Sequence, residues 1–173
     1  MVSLRDATPA DAWDIAGVHV ESWQVGYRGL LPEDVLAGLS VAVRQQWWHG
    51  TLTAAGPRST LLAVEEDVLL GFAAVGPNRD AERPIGELYA MYLRSAAWGR
   101  GVGTALHGAA MLRLRSLGFD RASLWMLAGN ERALHFYRRE GWSSDGRSKL
   151  VTGPDGVELE HRGLSRTLPD EPP

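Results

Sequence analysis

The segment Trp98-Gly99-Arg100-Gly101-Val102-Gly103-Thr104 is the most informative stretch of this chain. It follows an apolar run that reads as a strand and opens a run that alternates as a helix. Glycines there let the backbone come close to a ligand, and the free amides of a first helical turn point at whatever lies in front. A pyrophosphate is the natural occupant of such a turn. Spacing separates the users of this device. A dinucleotide fingerprint starting at Gly99 requires glycine at position 104, which is Thr104, and one starting at Gly101 requires it at 106, which is Leu106. A P-loop requires lysine before its serine or threonine, yet Thr104 directly follows Gly103. Both nucleotide readings fail on the residues.

The elements that must position this turn follow from patterning. Val2 to Arg5 reads as an edge strand. Thr8-Pro9-Ala10-Asp11 starts a helix, with Thr8 as cap, Pro9 in the first turn and Asp11 near the positive end. Ile15, Val18 and Ser22 give that helix one face, with Trp23 beside them. Pro32 opens a short second helix through Leu39, and Ser40 caps another that passes Trp47 and ends at Gly50. Thr60 to Val64 and Val68 to Val75 read as strands around a turn at Glu65-Glu66-Asp67. A loop with Pro77, Asn78, Asp80 and Pro84 precedes the central strand, Ile85 to Leu93. A helix from Gly101 to Leu117 stops at Gly118. Strand Ala122 to Leu127 and helix Asn130 to Glu140, closed by Gly141, come next. Two last strands, around Trp142 to Leu150 and Val157 to Leu164, flank the turn Gly153-Pro154-Asp155-Gly156. The order predicts an α+β fold with one strand-helix-strand crossover at its centre. Residues 1–166 are expected to form one domain, and 167–173 a flexible tail.

One strand and one helix beyond the glycine turn lies Asn130-Glu131-Arg132-Ala133-Leu134-His135-Phe136-Tyr137-Arg138-Arg139-Glu140-Gly141-Trp142. With the glycine turn and Glu87-Leu88-Tyr89-Ala90-Met91-Tyr92-Leu93, it resembles the Gcn5-related N-acetyltransferase (GNAT) superfamily from about Ile85 to Trp142. The superfamily's coenzyme A loop is glutamine or arginine, two residues, glycine, one residue, then glycine or alanine. Gly101 and Gly103 fill the glycine places, Arg100 is the basic residue before them, and Trp98 stands where glutamine or arginine is commonest. The second signature is asparagine, an alanine three on, a Phe-Tyr pair, then glycine and an aromatic residue.

The resemblance implies a mostly antiparallel twisted sheet of about seven strands with about four helices, and acetyl-coenzyme A as co-substrate. It implies that residues Trp98, Gly99, Arg100, Gly101, Val102, Gly103 and Thr104 bind the pyrophosphate. Met91, Tyr92 and Leu93 would meet the pantetheine arm by backbone pairing, and Asn130 by its side-chain amide. Tyr137 would be the general acid for the departing thiolate. Glu87, eleven positions before Trp98, would be the general base, directly or through water. Strand parity groups Glu87 with Tyr89, Met91 and Leu93 unless a bulge intervenes. The first two helices of the superfamily wall the acceptor site, so Trp23 and Tyr27 would offer an aromatic face and Glu21 a carboxylate to a cationic amine.

Composition narrows the remaining classes. With no cysteine among 173 residues, an acyl-cysteine intermediate is excluded, and direct attack in a ternary complex is the economical mechanism. A net charge of -3 argues against nucleic acid as the main ligand. No apolar run approaches the roughly 20 residues of a membrane helix, and Arg5, Asp6, Asp11 and Asp14 stand where a signal peptide would be apolar. The expectation is a cytoplasmic enzyme that binds neither membrane nor metal. His19, His49, His107, His135 and His161 show no metal spacing and read as structural or surface residues. The acceptor is a small-molecule amine or a peptide amino group, and a homodimer is common among relatives. The alternative is a non-catalytic coenzyme A sensor of the same fold.

Overall fold

The computed structural model describes residues 1–78, 85–152 and 156–168. Seven strands form one sheet: β1 (Ser3–Asp6), β2 (Ser59–Glu65), β3 (Val68–Pro77), β4 (Gly86–Leu93), β5 (Arg121–Leu127), β6 (Ser143–Thr152) and β7 (Glu158–Thr167). Their spatial order is β1-β2-β3-β4-β5-β7-β6, and every pairing is antiparallel except β4 with β5. Among the described residues five helices, where about four were expected, surround it: α1 (Ala12–Gly26), α2 (Glu33–Ala37), α3 (Val41–Thr53), α4 (Val102–Ser116) and α5 (Glu131–Arg139).

Local chemistry sets the boundaries. A single 3₁₀ turn, Pro9–Asp11, precedes α1, and the Asp11 carboxylate accepts from the Thr8 amide (2.7 Å) and from Arg5 (2.6 Å). The Arg5 bond, with those from Thr8, holds its carboxyl down at about 2. Ser40 caps α3 by accepting from the Val43 amide, as its side-chain type predicts. Glu66 and Asp67 turn the β2–β3 hairpin, both left-handed at φ 50° and 64°.

The central strands are apolar on both faces, which is why they read as unbroken hydrophobic runs. Leu61, Ala63, Ala73, Val75 and Leu88 pack with Leu106, Ala110 and Leu114 of α4. Leu62, Phe72 and Ala74 pack on the other face with Ile15 and Val18 of α1 and Trp48 of α3. The register of β3 with β4 shifts between Ala74 and Val75, leaving Tyr89 as the extra residue of a bulge.

The expected tail begins too early. Thr167 pairs with Arg121 in the sheet, while Leu168 is buried and its amide donates to the Asp120 carbonyl (2.8 Å). Residues 169–173, most of the expected 77–84 loop, and residues 153–155 of the last turn lie outside the described residues.

Candidate active site

The site begins where two strands part. Parallel β4 and β5 pair only over Gly86–Leu88 with Ala122–Leu124. Beyond Leu88 the gap opens into a cavity of about 540 Å³, lined by Leu88 through Leu93 on one side and Trp125 through Leu127 on the other. The amide of Arg94 donates to the Leu70 carbonyl of β3 (2.8 Å). Backbone groups alternate along a strand, so those of Leu93 and Met91 face away from β3, toward the gap. The Leu93 carbonyl accepts there from Ser22 Oγ (2.9 Å) and Trp98 Nε1 (3.3 Å).

The glycine turn stands beside this open edge. Gly99 and Gly101 are left-handed, at φ 71° and 78°, a conformation that disfavours any side chain. Gly101 caps α4 without a side chain to offer. The first bond of the helix runs from the Ala105 amide to the Gly101 carbonyl (3.1 Å). The amides of Val102, Gly103 and Thr104 precede it and have no helical partner, which suits an anion. Gly103 serves differently: a Cβ there would sit 3.4 Å from Phe136 and 3.7 Å from Met91 and Leu93. A methyl group would fit there at ordinary contact, and only a larger side chain would press on α5 and β4.

Other members of the expected set divide. Thr104, Trp98 and Tyr92 line the cavity. Arg100 pairs with Glu65 (2.6 Å) at the β2–β3 turn, and the Val102 side chain is buried in the core beneath α4. Trp98 takes a stacking role that its replacement of glutamine did not announce: the Arg132 guanidinium lies 3.4 Å from its ring centroid. Asn130 lines the cavity and also caps α5, its side-chain oxygen accepting from the Ala133 amide (3.1 Å). Tyr137 lines the cavity between Phe136 and Trp142, with ring centroids 5.4 and 6.0 Å away. Burial, then the neighbouring Tyr92, raises the pKa of its phenol.

Glu87 is not among the cavity's lining residues and is 1% exposed, at the closed base of the fork opposite Ser123 and Gly76. The bulge also breaks the parity. Leu88, Met91 and Leu93 lie on the α4 face, whereas Tyr89 and Tyr92 lie on the α1–α3 face. Glu87 alternates with Leu88 and so shares the α1–α3 face.

The expected acceptor residues do not converge either. Tyr27 lines the large cavity, its hydroxyl 3.4 Å from that of Tyr92, and burial pushes its phenol well up. Trp23 lines a second, smaller cavity. Glu21 lines neither and is ion-paired with Arg94. Ser22, Trp125, Arg132, His135 and Arg139 line the large cavity although patterning had not marked them as site residues. The α5 positions carried the only usable signal, their place on the helix that bears Tyr137.

Comparison with known proteins places the chain in a family. The family model described as Acetyltransferase (GNAT) family matches residues 20–142. An uncharacterized N-acetyltransferase of Bacillus subtilis, YuaI, is 31% identical over 166 residues, 95% of this chain and 92% of that protein. A mycothiol acetyltransferase of Renibacterium salmoninarum is 31% identical over 150 residues, covering 83% of this chain but only 42% of that longer protein. In fold, the chain is similar to a GCN5-related N-acetyltransferase from Rhodopseudomonas palustris, with TM-score 0.76 at 22% identity over 96% of this chain and 95% of that one. It is also similar to the PaiA N-acetyltransferase of Thermoplasma acidophilum in complex with coenzyme A, with TM-score 0.69 at 17% identity over 96% and 99%. The family model and the relative of matching length make the chain an acyltransferase. The chain belongs to the GNAT acetyltransferase family. No helix among the described residues is long and apolar enough to cross a membrane.

Proposed function

We propose that this protein moves an acetyl group from acetyl-coenzyme A to a primary amine by direct attack within a ternary complex. The observation that carries the reading is the unpaired β4 edge beside the uncapped start of α4. That pair of features suits a pantetheine arm laid along a strand and a pyrophosphate at a helix N-terminus. Bound there, acetyl-coenzyme A supplies an already activated thioester, so positioning does much of the work. The outward backbone groups of Met91 and the outward amide of Leu93 hold the arm, Asn130 flanks it, and the amides of Val102, Gly103 and Thr104 hold the phosphates.

Attack by the neutral amine forms the amide bond and breaks the carbon–sulfur bond. Tyr137 gives its phenolic proton to the departing sulfur. Among the described residues no carboxylate lines the large cavity. Glu87 therefore takes the amine's proton only through an intervening water, next to Leu88 at the base of the fork. With no cysteine in the chain, no acyl-cysteine intervenes.

The test is release of free thiol from acetyl-coenzyme A in the presence of an amine panel, with mass spectrometry of the acylated product. Acetyl-coenzyme A should also raise the melting temperature. Binding without thiol release for any amine would favour the sensing module of the same fold.

A further inference from the structure

Glu140 ends α5 with its carboxylate reaching back to the first turn of α4. Its Oε1 accepts from the Thr104 hydroxyl (2.9 Å), and its Oε2 lies 3.6 Å from His107 Nδ1. Thr104 is the third residue of α4, where the amides have no helical partner, and it lines the large cavity. Glu140 does not line the cavity, and its side chain is 14% exposed. The carboxylate therefore stands behind the wall that Thr104 forms.

Its place is fixed from several sides. Arg166 donates to the Glu140 carbonyl. The Trp142 indole donates to His107 Nε2 (2.9 Å), which leaves the His107 proton on Nδ1, toward Glu140. Arg139, which also lines the cavity, brings Nη2 to 3.6 Å from Oε1. A hydroxyl has one proton to give. While Thr104 gives it to an ionised carboxylate, a bond stronger than one to a neutral acceptor, Thr104 offers a phosphate only lone pairs. A pyrophosphate on the free amides of Val102, Gly103 and Thr104 then meets a hydroxyl turned away from it. One hydrogen bond further on it meets a like charge.

We propose that Glu140 is a specificity-determining residue for the acyl donor: its carboxylate competes with the donor's pyrophosphate for the Thr104 proton. It thereby limits how tightly phosphate-bearing donors, and the coenzyme A they leave behind, are held. Its charge also suits the positive end of α4, so the group that steadies the helix weakens the hold of that helix on phosphate. The inference rests on the coenzyme A site of the reading above, and not on acetyl transfer itself.

The experiment compares coenzyme A, dephospho-coenzyme A and pantetheine, which share the arm and differ in their phosphates. Binding is followed by titration calorimetry, with pantetheine measured by displacement of coenzyme A. Glu140→Gln keeps an acceptor of the same size for Thr104 and removes the charge, and its melting temperature without ligand checks the fold. It should bind coenzyme A and dephospho-coenzyme A about fivefold or more tighter than wild type, with pantetheine affinity unchanged within about twofold. In a Thr104→Val background the same change should lose most of that gain, because no proton remains to be released. Thr104→Val alone should cost coenzyme A affinity less than about threefold, since the hydroxyl is already committed to Glu140. A loss above about tenfold would mean that the hydroxyl serves the phosphate in the wild type, and would overturn the inference without Glu140→Gln. Coenzyme A binding that is unchanged or weaker in Glu140→Gln also overturns it. So does an equal gain for pantetheine, a gain confined to coenzyme A, or one that survives Thr104→Val in full. If the wild type binds coenzyme A but releases no thiol with any amine, the acetyltransferase reading fails, and these affinities still decide the role of Glu140. A wild type that binds no coenzyme A overturns both.

Discussion

Trp142 donates its indole N–H to Nε2 of His107 across 2.9 Å, joining α4 to the strand end just beyond α5 at a point where both residues are buried. The bond fixes the His107 tautomer, with the proton on Nδ1 facing Glu140 Oε2 at 3.6 Å. It also ties together the two helices that carry the glycine turn and Tyr137. Two of the histidines that showed no metal spacing, His19 and His107, are thus internal structural residues that accept from tryptophans.

These histidines make stability depend on pH. Burial is the main cause that lowers His107 to about 4 and His19 to about 3. The unfolded chain binds their protons near 6.5, whereas the folded one does not until lower pH. Their contribution is therefore fully present above about 6.5 and is lost as pH falls toward 4 and 3. The free energy of unfolding should fall between pH 6.5 and 4.5 by up to about 1.4 kcal/mol per pH unit for each histidine, and the melting temperature with it. His107→Gln keeps an acceptor for Trp142 and cannot titrate, so differential scanning calorimetry should show a shallower slope.

Gly101 and Gly103 should fail in different ways. Gly101→Ala forces a side chain into φ 78° with no steric neighbour within 4 Å, so the expected cost is backbone strain of about 1–2 kcal/mol. Gly103→Val drives methyl groups toward Phe136, Met91 and Leu93. Coenzyme A affinity measured by calorimetry should fall at least tenfold, about 1.4 kcal/mol, while the protein stays folded. Wild-type affinity in Gly103→Val would reduce the position to a simple turn.

Tyr137→Phe should lower kcat by about 10²-fold and leave coenzyme A affinity nearly intact. Burial raises the phenol's pKa, so Tyr137 stays protonated through neutral pH and should set no alkaline limb below about pH 10. An acyl donor with a better leaving thiol should be hurt less by the change. Loss of binding together with turnover would make the tyrosine a packing residue.

Glu87→Gln should reduce kcat/KM near neutral pH by about 10²-fold. Because Glu87 is 1% exposed and outside the cavity, the same change should also lower the melting temperature. A stability loss with unchanged kcat/KM would assign Glu87 to the sheet alone.

Glu21→Gln separates ion pairing from acceptor binding. Its partner Arg94 also donates Nε to the Leu69 carbonyl (2.9 Å), so the charge is committed to bracing the end of β4. Both side chains are about a third exposed, and the loss should stay within about 1 kcal/mol. Discrimination between cationic and neutral acceptors, measured by competition, should not change.

The sequence determined what depends on neighbours along the chain. Caps, glycine turns and doubly apolar strands follow from residue types within a few positions, so Ser40, Gly101 and the run from Leu61 to Val64 were legible. The spacing of Gly101, Gly103, Asn130 and Tyr137 likewise marked the cleft, because one strand and one helix fix their order. Tertiary structure decided everything that depends on register and distant pairing. One extra residue at Tyr89 moves Glu87 to the face opposite Met91 and Leu93, and no local pattern announces a bulge. Glu21 meets Arg94 73 positions away, which removes a carboxylate from the acceptor side. His19 looked like any helical histidine until Trp48, 29 positions on, occupied one ring nitrogen and left the other buried without a hydrogen-bond partner among the described residues. A hydrogen bond satisfied or unsatisfied is a property of what folds against a residue, and spacing along the chain carries no record of it.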